Sequence, residues 1–415
     1  MSQDVRSIPE YNFRFQDALI GAQMLFVAFG ALVLVPILTG LDSNVALFAA
    51  GVATLIFQII TKGTVPIFLA SSFAFIAPIM YGVQTWGIPQ TLCGLIAVGF
   101  VYMALAALIR IKGRSIIDKV LPPIVTGPVI MVIGLTLSPV AIDMATGLKG
   151  VIPRDEALFV AMISLLTTIL TSILGKGIIR LVPIFCGIIT GYIAAYFFGM
   201  VNLNPIAKAS WFAMPNFVFP EWNLSAVLYI LPIAIVPAIE HVGDILAIGS
   251  VTGKKYIEKP GIDRTLFADS IATMVASSVG GPPCTTYSEV TGAVALTRAF
   301  NPAILTWAAI TAICLSFVGK LGAILSTIPA PVMGGIMILL FGTITVVGLN
   351  TLVRAGQDLM IPRNMTIVAV ILVFGIGGMA FTVGTFKLAG IGLAGITGVL
   401  LNLILPGKVA VQTKE

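Results

Sequence analysis

Runs of about 20 apolar residues, each long enough to cross roughly 30 Å of hydrocarbon as a helix, recur along the chain from residues 19–38 to 388–405. Hydrophobic residues make up 58% of the sequence and charged residues 10%, whereas a soluble domain carries about 25% charged residues. The chain therefore reads as an all-α polytopic membrane protein. Its spans fall near residues 17–40, 44–62, 67–83, 88–110, 120–141, 157–175, 178–200, 224–250, 264–280, 285–298, 301–326, 330–348, 364–383 and 388–406, about fourteen in all. The first is too long for a signal peptide and lacks a small-x-small cleavage site, so it is expected to be retained.

With the N-terminus inside, only Lys149, Arg154, Lys208, Lys320 and Lys387 of the 23 Lys and Arg fall on the far side. The near side collects the rest, including Arg6, Arg110, Lys112, Arg114, Lys254, Lys255, Lys259, Arg264, Lys408 and Lys414. That is the positive-inside asymmetry, and it assigns both termini to the cytoplasm of a multi-pass protein of the inner (plasma) membrane. The net charge of +6 needs no nucleic-acid partner, since contact with anionic lipid accounts for it. Cys93, Cys186, Cys284 and Cys314 are scattered singly through apolar spans without metal-ligand spacing and are expected to be buried free thiols. His241 is the only histidine, too few for a histidine-based metal site; no metal and no cofactor are expected.

An internal repeat is visible. Leu121-Pro122-Pro123-Ile124-Val125-Thr126-Gly127 matches Ile328-Pro329-Ala330-Pro331-Val332-Met333-Gly334 at an offset of 207 residues, and Ile189-Thr190-Gly191 recurs as Ile396-Thr397-Gly398 at that same offset. The fifth span then corresponds to the twelfth and the seventh to the fourteenth. Two halves of seven follow, and because seven is odd the second half enters the membrane upside down. Inverted repeats of this kind build secondary transporters whose site lies near the midplane where the repeats meet.

The third and tenth spans correspond in this scheme and are the least regular. The third opens with Gly63-Thr64-Val65-Pro66 and reaches Ser71-Ser72-Phe73; the tenth follows Gly280-Gly281-Pro282-Pro283 and reaches Thr285-Thr286-Tyr287. Proline lacks an N–H and glycine weakens helix, so each segment is predicted to be a short extended stretch feeding a half-helix that starts part-way through the bilayer. Such a start presents unpaired N–H groups and a positive dipole end to a ligand.

Two carboxylates, Glu240 and Glu289, sit in these mid-membrane surroundings, where an ionisable group costs roughly 2.5–3.5 kcal/mol and is rarely found without a partner or a task. Asp244 is four residues after Glu240 and shares its helix face. Two carboxylates so close in a low dielectric do not both ionise easily, which makes Asp244 the candidate carrier of a coupled proton. Asp269 is a second candidate, or a structural group paired with Arg264. His241 points about 100° around the helix from Glu240, a position suited to a structural hydrogen bond or, less simply, a proton relay.

Glu240-His241-Val242-Gly243-Asp244 and Thr285-Thr286-Tyr287-Ser288-Glu289-Val290-Thr291-Gly292 through Thr297-Arg298 resemble the signatures of the nucleobase/ascorbate transporter family, which includes the uracil permeases. Ser71-Ser72-Phe73-Ala74-Phe75-Ile76-Ala77-Pro78 resembles the same proteins, and the likeness runs from about residue 14 to 406. The resemblance implies a fourteen-helix, seven-plus-seven inverted fold. A core domain would comprise residues 14–111 and 223–327, and a gate or scaffold domain that commonly dimerises residues 112–222 and 328–407. It implies symport of a nucleobase with a proton, with Glu240 and Glu289 receiving the base's ring N–H groups and the backbone at Phe73 and Ser288 bonding its carbonyl oxygens. Charge-assisted bonds of this kind are about twice as strong as neutral ones, and Phe73 or Tyr287 supplies an aromatic wall for a planar base. Phe341 is a further aromatic candidate on the gate side.

The substrate markers conflict. Asp244 stands where uracil permeases usually have histidine and the purine branch aspartate, Asp269 resembles another aspartate of that branch, and Val290 replaces a usual asparagine. Glu289, however, is the uracil-type residue where purine members carry glutamine. The two aspartates favour a purine such as xanthine, hypoxanthine or guanine, with uracil as the alternative. An anion transporter of related fold would want a cationic or neutral pocket. An aspartyl protease would need a second catalytic motif and a channel a repeated pore-lining pattern, so an enzyme is not expected.

Overall fold

A computed structural model of the chain describes residues 11–113, 119–148, 151–177, 179–383 and 386–406. Arg6, Arg114, Lys149, Lys408 and Lys414, used above to orient the chain, lie outside the described residues, as does position 407 at the end of the last proposed domain segment.

Each apolar stretch contains a helix. In the first half these are α1 (Ala18–Thr39), α2 (Ser43–Ile60), α3 (Ile76–Trp86), α4 (Ile88–Lys112), α5 (Pro123–Ala145), α6 (Arg154–Leu174) and α7 (Pro183–Phe197). In the second they are α8 (Ile235–Thr252), α9 (Ile262–Ser278), α10 (Ser288–Thr297), α11 (Ala303–Ser316), α12 (Ala330–Arg354), α13 (Pro362–Ile376) and α14 (Gly390–Ile404). Among the described residues, seven helical stretches are long and apolar enough to cross a membrane by length and composition.

Several boundaries differ from the sequence expectation for local reasons. The eighth stretch begins as helix at Leu224–Ile230, tightens to a 3-10 turn over Leu231–Ala234 and resumes as α8; Pro232 removes a backbone donor at that point. The predicted span 301–326 divides into α11 and a separate helix Gly319–Ser326. Between α13 and α14 two antiparallel strands, β3 (Ala380–Val383) and β4 (Phe386–Ala389), take the end of the predicted span 364–383 and the start of the span 388–406.

The repeat seen in sequence recurs in the helix starts. α5 begins at Pro123 and α12 at Ala330, each capped by an extended proline, Pro122 and Pro329; α7 and α14 begin at Pro183 and Gly390. Both pairs are 207 residues apart. α5 lies along α12, which also packs against α6, while α13 packs on α5 and α14. A Cβ at Gly127 would lie 2.8 Å from the Gly348 carbonyl, and one at Gly348 only 2.6 Å from that of Gly127, so these glycines let α5 and α12 approach closely, as small residues do in membrane interfaces.

In a second group, α9 packs against α4 and α2, and α11 against α1 and α2. Phe57, Phe68, Phe75 and Tyr102 are fully buried within it. On α6, Phe159, Leu166, Leu170 and Ile173 are exposed, a stripe at helical spacing that suits contact with lipid rather than water. The expectation of buried thiols holds for Cys284 only: Cys93 and Cys186 are half-buried and Cys314 is exposed.

Candidate functional site

The chain leaves α2 through Lys62 and Gly63, both at positive φ, and leaves α9 through Gly280 at φ +98° followed by Pro282 and Pro283. These residues keep each segment out of helix on its way to the ribbon in which β1 (Leu69–Ser71) pairs antiparallel with β2 (Cys284–Thr286). Ala70 faces Thr285 in the register, and the ribbon is extended by Ser72 N donating to Pro283 O at 2.9 Å and Tyr287 N to Phe68 O at 3.1 Å.

Both strands are completely buried. Extended backbone at membrane depth is tolerated only where protein satisfies its polar groups, and side chains from neighbouring helices do so. Thr54 on α2 accepts from Leu69 N at 2.9 Å, Gln58 donates to Val65 O at 3.0 Å, and Thr273 on α9 donates to Cys284 O at 2.8 Å. The helices that follow start directly from this ribbon. A 3-10 turn over Phe73–Phe75 leads into α3, and α10 starts at Ser288. Neither Ser72 nor Tyr287 caps its helix with a side chain, so first-turn N–H groups are left for other acceptors.

Glu240 on α8 and Glu289 in the first turn of α10 are half-buried, and Glu240 Oε2 is buried with no hydrogen-bond partner. An acceptor oriented inward without a donor is what a ligand N–H requires. Asp244, one turn along α8, is 5% exposed and already engaged. Thr286 donates to its Oδ2 at 2.7 Å and Ser288 donates to its Oδ1. Besides the backbone role expected of Ser288, its hydroxyl ties α10 to α8.

His241 and Asp269 are fully buried beside one another. His241 Nδ1 lies 3.2 Å from Asp269 Oδ2, and its Nε2 lies 3.0 Å from Thr265 Oγ1. His241 thus has Thr265 as a hydrogen-bond partner and Asp269 as an acidic neighbour, while both Asp269 oxygens are buried without a hydrogen bond. The pairing of Asp269 with Arg264 does not occur: Arg264 Nε donates to Ile60 O at 2.5 Å, and its place beside Asp269 is taken by the histidine of another helix.

The two aromatic candidates of the half-helix starts are neighbours. The Phe73 and Tyr287 rings are 6.1 Å apart and tilted by 30°, and Tyr287 is held by its hydroxyl donating to Ser71 O at 2.8 Å. Phe341 is 1% exposed within α12, whereas its neighbour Gly342 faces open space, as do Gly243 on α8 and Gly292 on α10. Among the described residues no group of three or more His, Cys, Asp or Glu is placed to hold a metal ion. The arrangement can accept N–H donors on carboxylates, donate from backbone N–H, and cover a flat ring with aromatic surface.

Residues 15–384 match a family model described as a permease family. A probable uracil permease of Pasteurella multocida is 56% identical over 391 residues, covering 94% of this chain and 94% of that protein. The uracil permease of Bacillus caldolyticus is 43% identical over 419 residues (98% of this chain, 96% of that protein), and that of Escherichia coli K12 is 36% identical over 391 (94% and 91%). Among solved structures, the transmembrane domain of the cyanobacterial bicarbonate transporter BicA aligns with a TM-score of 0.64 over 95% of this chain and 98% of that one. The murine Solute Carrier 26 family member A9 anion transporter, in its inward-facing state, aligns with a TM-score of 0.68 over 95% and 68%. Both are 13% identical to this chain, a likeness of fold alone.

Proposed function

The chain belongs to the nucleobase/ascorbate transporter family, and from that premise we propose that it is a proton-coupled nucleobase symporter that takes uracil in preference to purines. The observation that carries the reading is the pairing of two half-buried carboxylates, Glu240 and Glu289, with two half-helix starts that lack side-chain caps. A uracil ring offers two N–H donors and two carbonyl acceptors on its edge, which match two carboxylates and two sets of backbone N–H groups.

Uracil replaces the purine favoured from sequence for two reasons. The relatives that match over nearly their whole length carry the name uracil permease. One purine marker has an internal explanation, since Asp244 is held by Thr286 and Ser288 and does not require a purine opposite it; the other, Asp269, is fully buried beside His241. Glu289 was the uracil-type residue throughout.

Asp244 is the proposed proton carrier. As a carboxylate it accepts from both hydroxyls, whereas a protonated carboxyl carries an O–H donor of its own, so that one of the two bonds reverses and the hydroxyl of Thr286 or Ser288 turns to accept. Protonation thereby reaches the first residue of α10, immediately before Glu289. Asp269 is the reserve candidate.

In this reading the chain crosses the inner membrane fourteen times as two inverted halves, with both termini in the cytoplasm. Residues 14–111 and 223–327 form the substrate-bearing core, residues 112–222 and 328–407 the gate, and the gate pairs two copies into a homodimer. The anion transporters of similar fold lend no substrate, because a pocket built on carboxylates repels anions. Uptake of radiolabelled uracil in a strain lacking its own systems, with uracil, xanthine, hypoxanthine, guanine and adenine as competitors, tests the proposal. Accumulation that purines block better than uracil overturns the substrate, and failure of every base to block or accumulate overturns the class.

A further inference from the structure

A cavity of about 750 Å³ lies away from the half-helices, between the end of α2, the last two turns of α4 and the start of α9. Its polar wall contains Arg110, Arg264 and Asp263, and its apolar wall includes Met103, Ala107 and Phe267. Two guanidinium groups and one carboxylate line it, and among the described residues neither arginine forms a salt bridge. The bond from Arg264 Nε to Ile60 O fixes that side chain while leaving its two terminal nitrogens for an anion. Arg110 is exposed at the C-terminal turn of α4.

The lining residues Met103 and Arg110 are seven positions apart on α4, a depth of about 10 Å at 1.5 Å per residue. Phe100, Ala104, Ala107 and Ile111 on the same helix are exposed at spacings of four, three and four, an apolar stripe continuous with the cavity. Ile59, beside the lining residue Ile60, is exposed as well. The chemistry graded along the cavity is thus a doubly basic mouth above an apolar floor open to the bilayer.

We propose that this cavity binds one phospholipid with an anionic headgroup from the cytoplasmic leaflet. Its phosphate sits on Arg110 and Arg264, and the first carbons of an acyl chain lie on Met103, Ala107 and Phe267. Basic pockets between helices on the cytoplasmic side take such headgroups. A free phosphate would use the arginines alone and gain nothing from the floor. The inference relies on the membrane orientation given above and not on which base is carried.

Native mass spectrometry of the purified full-length protein, titrated with phosphatidylglycerol or phosphatidylcholine, tests it. Phosphatidylglycerol is expected to be retained more tightly than phosphatidylcholine, and Arg110→Gln to weaken it about fivefold, the contribution of one basic residue near a membrane surface. Ala107→Trp keeps both charges but fills the floor, and is expected to weaken phosphatidylglycerol as well, with Ala107→Leu as a milder replacement if the tryptophan variant aggregates. Both positions are exposed, and gel filtration with the lipid-free melting midpoint identifies folded variants. Equal retention of the two lipids, unchanged phosphatidylglycerol binding in either folded variant, or its displacement by millimolar inorganic phosphate overturns the proposal; the last outcome makes this a free-anion site.

Discussion

Asp244 on α8 accepts the hydroxyl of Thr286 at 2.7 Å, joining two segments 42 residues apart at the point where β2 gives way to α10. Ser288 supplies a second hydroxyl to the other carboxylate oxygen, so the helix that carries Glu240 and the half-helix that carries Glu289 are fastened together by one acidic side chain. In the proposed transporter, anything that changes the acceptor capacity of Asp244 acts at once on the helices that carry Glu240 and Glu289.

That linkage gives the first prediction. Asp244→Asn keeps the size of the side chain but offers one acceptor and one donor group, and it cannot gain or lose a proton. Uracil binding or exchange is expected to remain measurable, while uphill accumulation and its dependence on external pH disappear. Proteoliposome uptake with and without an imposed proton gradient provides the measurement; a gradient-driven signal equal to that of the parent transfers the role to Asp269 or Glu240. Thr286→Val, which removes one of the two donors, is expected to fall between the parent and Asp244→Asn.

Glu240→Gln and Glu289→Gln each replace a pure acceptor by an amide that turns a donor toward the base. A hydrogen bond to a charged group contributes about 1.5–3 kcal/mol, so affinity is expected to drop roughly ten- to a hundredfold in each variant. Glu240 has the stronger claim, because its Oε2 is buried without a partner inside the protein. Isothermal titration or a melting shift with uracil reads the loss, and near-parental affinity in both variants excludes the pair from the site.

The pair His241 and Asp269 is expected to govern stability rather than affinity. His241→Ala leaves the carboxylate of Asp269, fully buried, without its neighbour, and an unpartnered buried polar group costs about 1–3 kcal/mol. The variant should melt at a lower temperature in detergent, with uracil affinity close to the parent's. Asp269→Asn retains a hydrogen-bonding oxygen opposite Nδ1 and is expected to lose less stability. A parental melting curve for His241→Ala, or a collapse of affinity without loss of stability, contradicts this division of labour.

Sequence reasoning reached the features that proline, glycine and charge impose locally. Gly63 to Pro66 and Gly280 to Pro283 marked where helix could not run, and the half-helices begin just beyond them. The common offset of 207 residues foretold the matched starts of α5 with α12 and of α7 with α14. The partners across space stayed hidden. Arg264 is five residues from Asp269 and invited a local pair, whereas His241 is 28 residues away and becomes its neighbour only through packing of α8 on α9. The strands β1 and β2 are three residues long, too short for an alternating pattern, and β3 and β4 continue apolar stretches that read equally well as helix.

The proposed preference for uracil draws support from the partners that Asp244 already has. A purine-binding pocket would need further polar groups free to meet the second ring, yet Asp244 is engaged with Thr286 and Ser288 and Asp269 is fully buried beside His241. A purine forced into a uracil site leaves ring nitrogens unpaired, and an unsatisfied buried group costs about 1–3 kcal/mol, so discrimination of about tenfold or more is expected. In competition uptake, unlabelled uracil should suppress labelled uracil at concentrations at which xanthine, hypoxanthine and guanine have little effect. Equal or stronger inhibition by a purine returns the assignment to the purine branch and implies that the contacts of Asp244 rearrange when substrate binds. The double variant Thr286→Val with Ser288→Ala separates these cases: it frees Asp244 for a ligand, and only a purine site would then gain affinity for purine.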